Sequence, residues 1–80
     1  MDTYSRLLEV CSAVFEGEID PVTITIDASL REDIGINSIG LLYMAMAIEE
    51  EFGIKFTNDD FPGLQTVKDV VDLIEKKVQQ

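Results

Sequence analysis

The sequence predicts an all-α fold: a small bundle of three main helices plus one short helix, with a long loop between the first and second helices. Three observations lead there. Apolar residues recur at helical spacing in residues 3–16 and 66–78. Residues 38–52 are apolar around most of a helix's circumference until Glu49, Glu50 and Glu51, and Gly53 follows as a stop signal. The one stretch of strand-like alternation, Val22, Ile24 and Ile26 against Thr23, Thr25 and Asp27, has no second strand to pair with.

The elements follow in order. In the first helix, 3–16, Leu7, Cys11 and Val14 share a face, with Leu8 and Phe15 beside it. Thr3 or Asp2 caps its start, and Gly17 ends it. Residues 17–37 form a long structured loop whose Leu30, Ile34 and Ile36 reach into the core. A loop of that length in so small a chain points to a role or to a hidden helical turn. Helix two covers 38–52, and its excess of apolar surface suits either the centre of a bundle or a face turned to a partner. A single helical turn fits 59–63, where Asp59 and Asp60 precede Phe61-Pro62-Gly63. Thr66 and Asp69 match a capping box at the start of the last helix, 66–78, whose apolar stripe is Val67, Val70, Val71, Ile74 and Val78. Lys76 and Lys77 lie near its C-terminus, where positive charge is favourable.

Eighty residues suffice for one domain, 1–80, with one small core. Sixteen acids against six bases give a formal charge of -10, spread evenly over both halves. Such a chain repels phosphate backbones and anionic bilayers, so no nucleic acid and no membrane partner is expected, while basic protein patches are suitable. With no histidine there is no Ser-His-Asp or Cys-His machinery and no ordinary zinc site. One cysteine permits no intramolecular disulfide, and Cys11 reads as a small core residue. The longest uncharged run, Ile34–Ile48, is too short to span a membrane, and no signal segment is seen, so a cytoplasmic location is expected. Twelve residues from Asp27 fail the calcium-loop pattern, with Arg31 where an oxygen ligand belongs, and no dedicated metal site is expected.

Ser38 opens helix two. A serine there is ordinarily a cap. The alternative is a serine that carries a phosphate-linked group, which would sit beside unpaired backbone N–H groups and the positive end of the helix. Nothing in the composition activates Ser38 as a nucleophile, so another protein must supply the catalyst for any modification. That makes the chain a substrate or a binding partner rather than an enzyme.

Leu30-Arg31-Glu32-Asp33-Ile34-Gly35-Ile36-Asn37-Ser38-Ile39 resembles the segment before and through the attachment serine of the acyl carrier protein family, usually written Leu-x-x-Asp-Leu-Gly-x-Asp-Ser-Leu. Met46 through Ile54 resembles the end of that family's second helix, and Thr66 through Ile74 its last helix and cap. The likeness runs over residues 3–78. It implies that Ser38 receives 4'-phosphopantetheine from coenzyme A, flanked by Asn37 and Ile39. It also implies a non-catalytic carrier that holds an acyl group as a thioester on that arm. The implied partners are a phosphopantetheinyl transferase and acyl-loading enzymes, synthases or transferases with basic docking patches, met by a monomeric carrier.

Two departures matter. Asn37 and Ile39 replace the usual Asp and Leu, and Asn37 lacks a negative charge beside the transferase's target, which implies slower modification or a particular transferase. Gly40 and Tyr43 stand where housekeeping fatty-acid carriers commonly have acids. The docking set implied here is Gly40, Leu41, Tyr43, Glu49, Glu50, Asp59 and Asp60, with Leu41 and Tyr43 as exposed contacts. Tyr43 has a second reading, half-buried against Phe56 or Phe61. Leu42, Met46, Ile48, Phe52, Val70 and Ile74, with Ile39, read as inward residues that pack the core and line a path for an acyl chain. The thinned acidic strip favours a dedicated polyketide or modified fatty-acid pathway. Gly40 also resembles aminoacyl or D-alanyl carriers. The competing class is an unmodified acidic helical adaptor that binds another protein through Leu41–Tyr43, with Ser38 only a cap.

Overall fold

The computed structural model describes residues 2–16, 19 and 24–79. Its elements are α1 (Thr3–Phe15), α2 (Ser38–Phe52), a 3-10 helix (Asn58–Gly63) and α3 (Val67–Val78). α1 packs against both α2 and α3. The expected all-α bundle is the observed one. Among the described residues there is no strand, only an isolated antiparallel bridge between Ser29 and Thr66. Among the described residues no helix is long and apolar enough to cross a membrane.

Each helix begins where a side chain satisfies a backbone N–H that the helix leaves open. At α1 that side chain is Asp2, which accepts from Ser5 N–H at 2.7 Å. α1 ends at Glu16, in left-handed backbone with φ 47°. The expected stop at Gly17 and the alternation through Val22 and Thr23 lie outside the described residues. α2 closes on Gly53 at φ 69°, a conformation that costs glycine little. α3 starts on a reciprocal capping box: Thr66 Oγ1 accepts from Asp69 N–H at 3.2 Å, and the Asp69 carboxylate accepts from Thr66 N–H at 3.0 Å.

The core joins all elements. Leu7 and Cys11 of α1, Met44 and Ile48 of α2, and Val67, Val70 and Ile74 of α3 are buried together. The long loop contributes Ile24, Ala28, Leu30 and Ile36. Ile34 is only partly buried. Val78, expected on the apolar stripe of α3, is exposed, because that stripe runs past the end of the surfaces that cover it. Cys11 is buried with its Sγ 3.7 Å from Met44 Sδ, and burial pushes the thiol up to about 11, so it packs and does not react.

The loop between α1 and α2 is held by backbone pairing to the start of α3. Lys68 N–H donates to Ile26 C=O at 2.9 Å, Val67 N–H to Ala28 C=O at 3.1 Å, and Leu30 N–H to Gln65 C=O at 2.9 Å. Beyond that strap the chain makes one helical turn, with Asp33 and Ile34 N–H both donating to Ser29 C=O. Ile36 N–H then returns to Leu30 C=O at 2.8 Å. This is the turn that the loop's length implied, and it delivers the chain to the start of α2.

The Asp69 carboxyl is held below the usual aspartate range, first by the Thr66 N–H and further by the Gln65 N–H. A carboxyl lowered in the folded state stabilises the fold fully above the ordinary aspartate range, and that contribution is lost as pH falls through the lowered value. Thr66→Ala should cost about 1 kcal/mol, roughly 4–8 °C in Tm. Asp69→Ala should destabilise the fold at neutral pH, and its deficit should shrink as the wild type is acidified below the ordinary aspartate range. Thermal unfolding between neutral pH and about pH 2 checks both, and a deficit unchanged by acid would contradict the role given to the carboxylate.

Candidate functional site

The site is the start of α2. Asn37 has extended backbone, φ -87° and ψ -179°, and its side-chain oxygen accepts from Gly40 N–H at 2.7 Å. Its own C=O accepts from Leu41 N–H at 2.9 Å, the first bond of the helix. Asn37 is therefore the cap. Ser38 is the first helical residue and is exposed. This corrects the ordinary reading of Ser38 as a cap: the Asn37 side chain one residue earlier accepts the open Gly40 N–H, so the serine hydroxyl is not consumed by the cap.

Gly40 is fixed by this cap. A Cβ there would lie 3.3 Å from Asn37 Oδ1, 3.2 Å from Ile36 Cγ2 and 3.4 Å from Phe15 Cε1. The position is thus a close approach between α2 and the α1–loop corner.

Two kinds of group face Ser38. The first is backbone: the N–H groups of Ser38 and Ile39 open the helix and have no intrahelical acceptor. The second is Arg31, whose Nη2 donates to Ser38 Oγ at 3.5 Å. Sequence reading passed over Arg31. The available signal was its isolation as the sole base between Arg6 and Lys55.

The apolar residues of α2 sort differently from expectation. Met44, Ala45 and Ile48 form the buried stripe. Ile39 (63% exposed), Leu42 (53%), Tyr43 (61%) and Met46 (63%) lie on the opposite side at i, i+3, i+4 and i+7. The expectation that Ile39, Leu42 and Met46 point inward is corrected. α2 has no charged residue before Glu49, so nothing in the pattern marks which side faces water. Leu41, expected exposed, is partly buried against the core. Tyr43 is exposed as one reading had it, and Phe56 and Phe61 pair with each other at 6.3 Å. Ile48, Val70 and Ile74 are core residues, and Phe52 is partly buried under the Arg6 guanidinium at 4.2 Å.

This exposed stripe runs into two shallow depressions. One, of about 370 Å³, is lined by Phe15, Ile19, Ile34, Ile36, Ile39 and Tyr43 among others. The next, of about 600 Å³, is lined by Val14, Phe15, Tyr43, Met46, Ala47 and Glu50.

The acids expected to dock partners also divide. Glu49 accepts from Phe56 N–H at 2.7 Å and holds the chain leaving α2. Glu51 pairs with Arg6 at 3.1 Å. Asp60 accepts from Thr57 N–H at 2.8 Å and pairs with Lys77 at 3.0 Å; the Thr57 N–H and then Lys77 hold its carboxyl below the usual range. Glu49 and Asp60 of the docking set, and Glu51 outside it, thus each hold a contact within the fold. Glu50 and Asp59 are exposed, with no ion pair recorded among the described residues. No group of three metal-ligating side chains gathers among the described residues.

Residues 5–74 match the family model described as a phosphopantetheine attachment site. An acyl carrier protein of Thermosynechococcus vestitus is 36% identical over 76 residues, covering 92% of this chain and 94% of that protein. One from Solidesulfovibrio magneticus is 37% identical over 59 residues, covering 74% and 76%. One from Rhodococcus erythropolis is 36% identical over 58 residues, covering 72% and 64%.

The division of labour between Asn37 and Ser38 predicts opposite responses. Asn37→Ala should cost about 1 kcal/mol, and Asn37→Asp should retain the cap. Ser38→Ala should change stability by less than about 0.5 kcal/mol. Thermal unfolding of the three variants checks this; a Ser38→Ala loss equal to that of Asn37→Ala would return the capping role to the serine.

Proposed function

The chain belongs to the phosphopantetheine-attachment family and is an acyl carrier protein, and on that premise we propose that Ser38 is its attachment residue and that it serves a dedicated polyketide or modified fatty-acid pathway. Proteins of this family are carriers and not catalysts, work with phosphopantetheinyl transferases and acyl-handling enzymes, and bear a covalent 4'-phosphopantetheine. The observation that carries the assignment to Ser38 is its release from capping by Asn37. A serine on the surface, at an open helix N-terminus and beside a guanidinium, fits a phosphodiester link. When bound, the group supplies a thiol that holds the acyl cargo as a thioester.

The chain's own residues then perform three tasks. Asn37 fixes the first turn of α2 and so the direction of the Ser38 hydroxyl. The N–H groups of Ser38 and Ile39 offer donors to an anion. The outer face of α2 is left for protein partners. Against the adaptor reading, in which Ser38 is only a cap, stands the Asn37 side chain in the capping role.

The proposal of a dedicated pathway rests on the composition of that outer face. From Ser38 to Ile48 it carries no charge, and its side chains are Ile39, Leu42, Tyr43 and Met46. Exposed apolar stripes of this kind mark interaction surfaces, and a tyrosine supplies much contact area at low entropic cost. Partners matched to it present an apolar strip near the arm, with basic groups further off towards Glu50 and Asp59. The 80 residues work as one monomeric carrier domain, since the same face must be free for each partner in turn.

Incubation with coenzyme A, magnesium and a broad-specificity phosphopantetheinyl transferase tests the attachment. Intact mass should show a single phosphopantetheine on the wild type and none on Ser38→Ala, with both proteins folded. A loaded Ser38→Ala would contradict the assignment.

Docking makes a separate prediction. Tyr43→Ala and Met46→Ala should each raise the transferase's KM for the unloaded chain by roughly 5–30-fold, corresponding to about 1–2 kcal/mol. Glu50→Gln should have a smaller effect, one that fades with added salt. A KM set mainly by salt and by Glu50 would contradict an apolar docking face.

A further inference from the structure

Among the described residues three of the six bases are in ion pairs and three, Arg31, Lys55 and Lys76, are not; of those three only Arg31 donates a side-chain hydrogen bond. Arg6 pairs with Glu51, Lys68 with Asp72 and Lys77 with Asp60. Arg31 has no carboxylate partner among the described residues, and its one side-chain bond is to Ser38 Oγ, at 3.5 Å. Its backbone is tied at both ends of the turn. The turn that bears it is closed by two bonds to Ser29 C=O at 3.1 Å and by Ile36 N–H on Leu30 C=O at 2.8 Å. Leu30, its neighbour, is buried and tied to Gln65. A guanidinium is thus presented from a fixed turn to the atom that the proposed attachment would esterify.

We infer that Arg31 is the counter-charge for the phosphodiester on Ser38, pairing with it and restraining the base of the arm. This rests on the reading of Ser38 as the attachment residue. Two physical arguments support it. A phosphodiester adds a further negative charge to a chain already at -10, which is unfavourable unless a cation is near. Arginine presents a planar fork of donors that matches the oxygens of a phosphate group, and a lysine ammonium does not. In the unloaded chain the contact is a long, exposed hydrogen bond to a neutral hydroxyl and contributes little. After loading, a guanidinium beside that atom would have the charged non-bridging oxygens of the phosphodiester within reach, and the contact would become a charge-assisted pair. Arg31 therefore distinguishes the two forms of the carrier.

The experiment is a cycle between loading and substitution. Arg31→Gln, Arg31→Lys and Lys55→Gln are prepared unloaded and loaded with 4'-phosphopantetheine, with loading on Ser38 verified by fragment mass. Tm is read for each at low salt and at about 0.5 M salt, and the 31P spectrum is read for each loaded form. Lys55→Gln removes one charge elsewhere and controls for net charge.

The expected result is an Arg31→Gln loss specific to the loaded form, roughly 1–8 °C at low salt, fading at high salt. It is accompanied by a moved 31P signal. Arg31→Lys should retain part of the effect, and Lys55→Gln should show neither. Equal Arg31→Gln effects in the loaded and unloaded forms, or equal effects of Arg31→Gln and Lys55→Gln, overturn the inference while leaving Ser38 in place. A folded wild type that takes no arm on Ser38 overturns the attachment reading, and this inference with it.

Discussion

The side-chain oxygen of Asn37 accepts one backbone N–H, that of Gly40 at 2.7 Å, and the geometry of the whole site follows from it. The bond sets the first turn of α2. From that turn the helix runs with Met44, Ala45 and Ile48 packed into the core and Ile39, Leu42, Tyr43 and Met46 exposed. The bond also brings the capping oxygen close to Gly40, where a Cβ would lie 3.3 Å from it and would need its neighbours to give way. Most importantly it spares Ser38. A helix start needs a capping acceptor, and a modifiable serine needs a hydroxyl left over. Asn37 meets the first requirement so that Ser38 can meet the second.

The fold and the function draw on different residues. Stability comes from an apolar core shared by three helices and a loop strap, with polar groups confined to caps and helix-to-loop ties. Glu49, Glu51, Asp60 and Asp69 all serve that framework. The outer face of α2 serves none of it. A carrier needs this separation, because its working surface must meet several partners without the fold depending on any of them. The absence of histidine is consistent with the same logic: the reactive group belongs to the arm, and the protein supplies place and recognition.

Much of this was legible in the sequence, and the exceptions have physical causes. α1 and α3 have a charged side and an apolar side, so their buried residues could be read from periodicity; Leu7, Cys11, Val70 and Ile74 all lie in the core. The caps at Thr66, Asp69 and Gly53 follow from local chemistry alone. α2 was legible as a helix but not in rotation. With no charge from Ser38 to Ile48, Leu42 and Met46 look no more outward than Met44 and Ile48, and only the packing partners decide. The roles of Glu49 and Asp60 were hidden for another reason. Their partners, Phe56 N–H and Lys77, are brought near by the fold and not by sequence spacing. Ser38 was legible as a position, but its freedom from capping required seeing which neighbour held the Gly40 N–H.

The central claim is that an arm goes onto Ser38 of a framework complete without it. Backbone amide spectra of the unloaded and loaded protein, compared residue by residue, test it most directly. The account predicts changes centred on the amides of Ser38, Ile39 and Gly40, with those of Met44, Ile48 and Ile74 unmoved. Changes centred on Ser5, Ser12 or Ser29, or changes spread through the core, would contradict it.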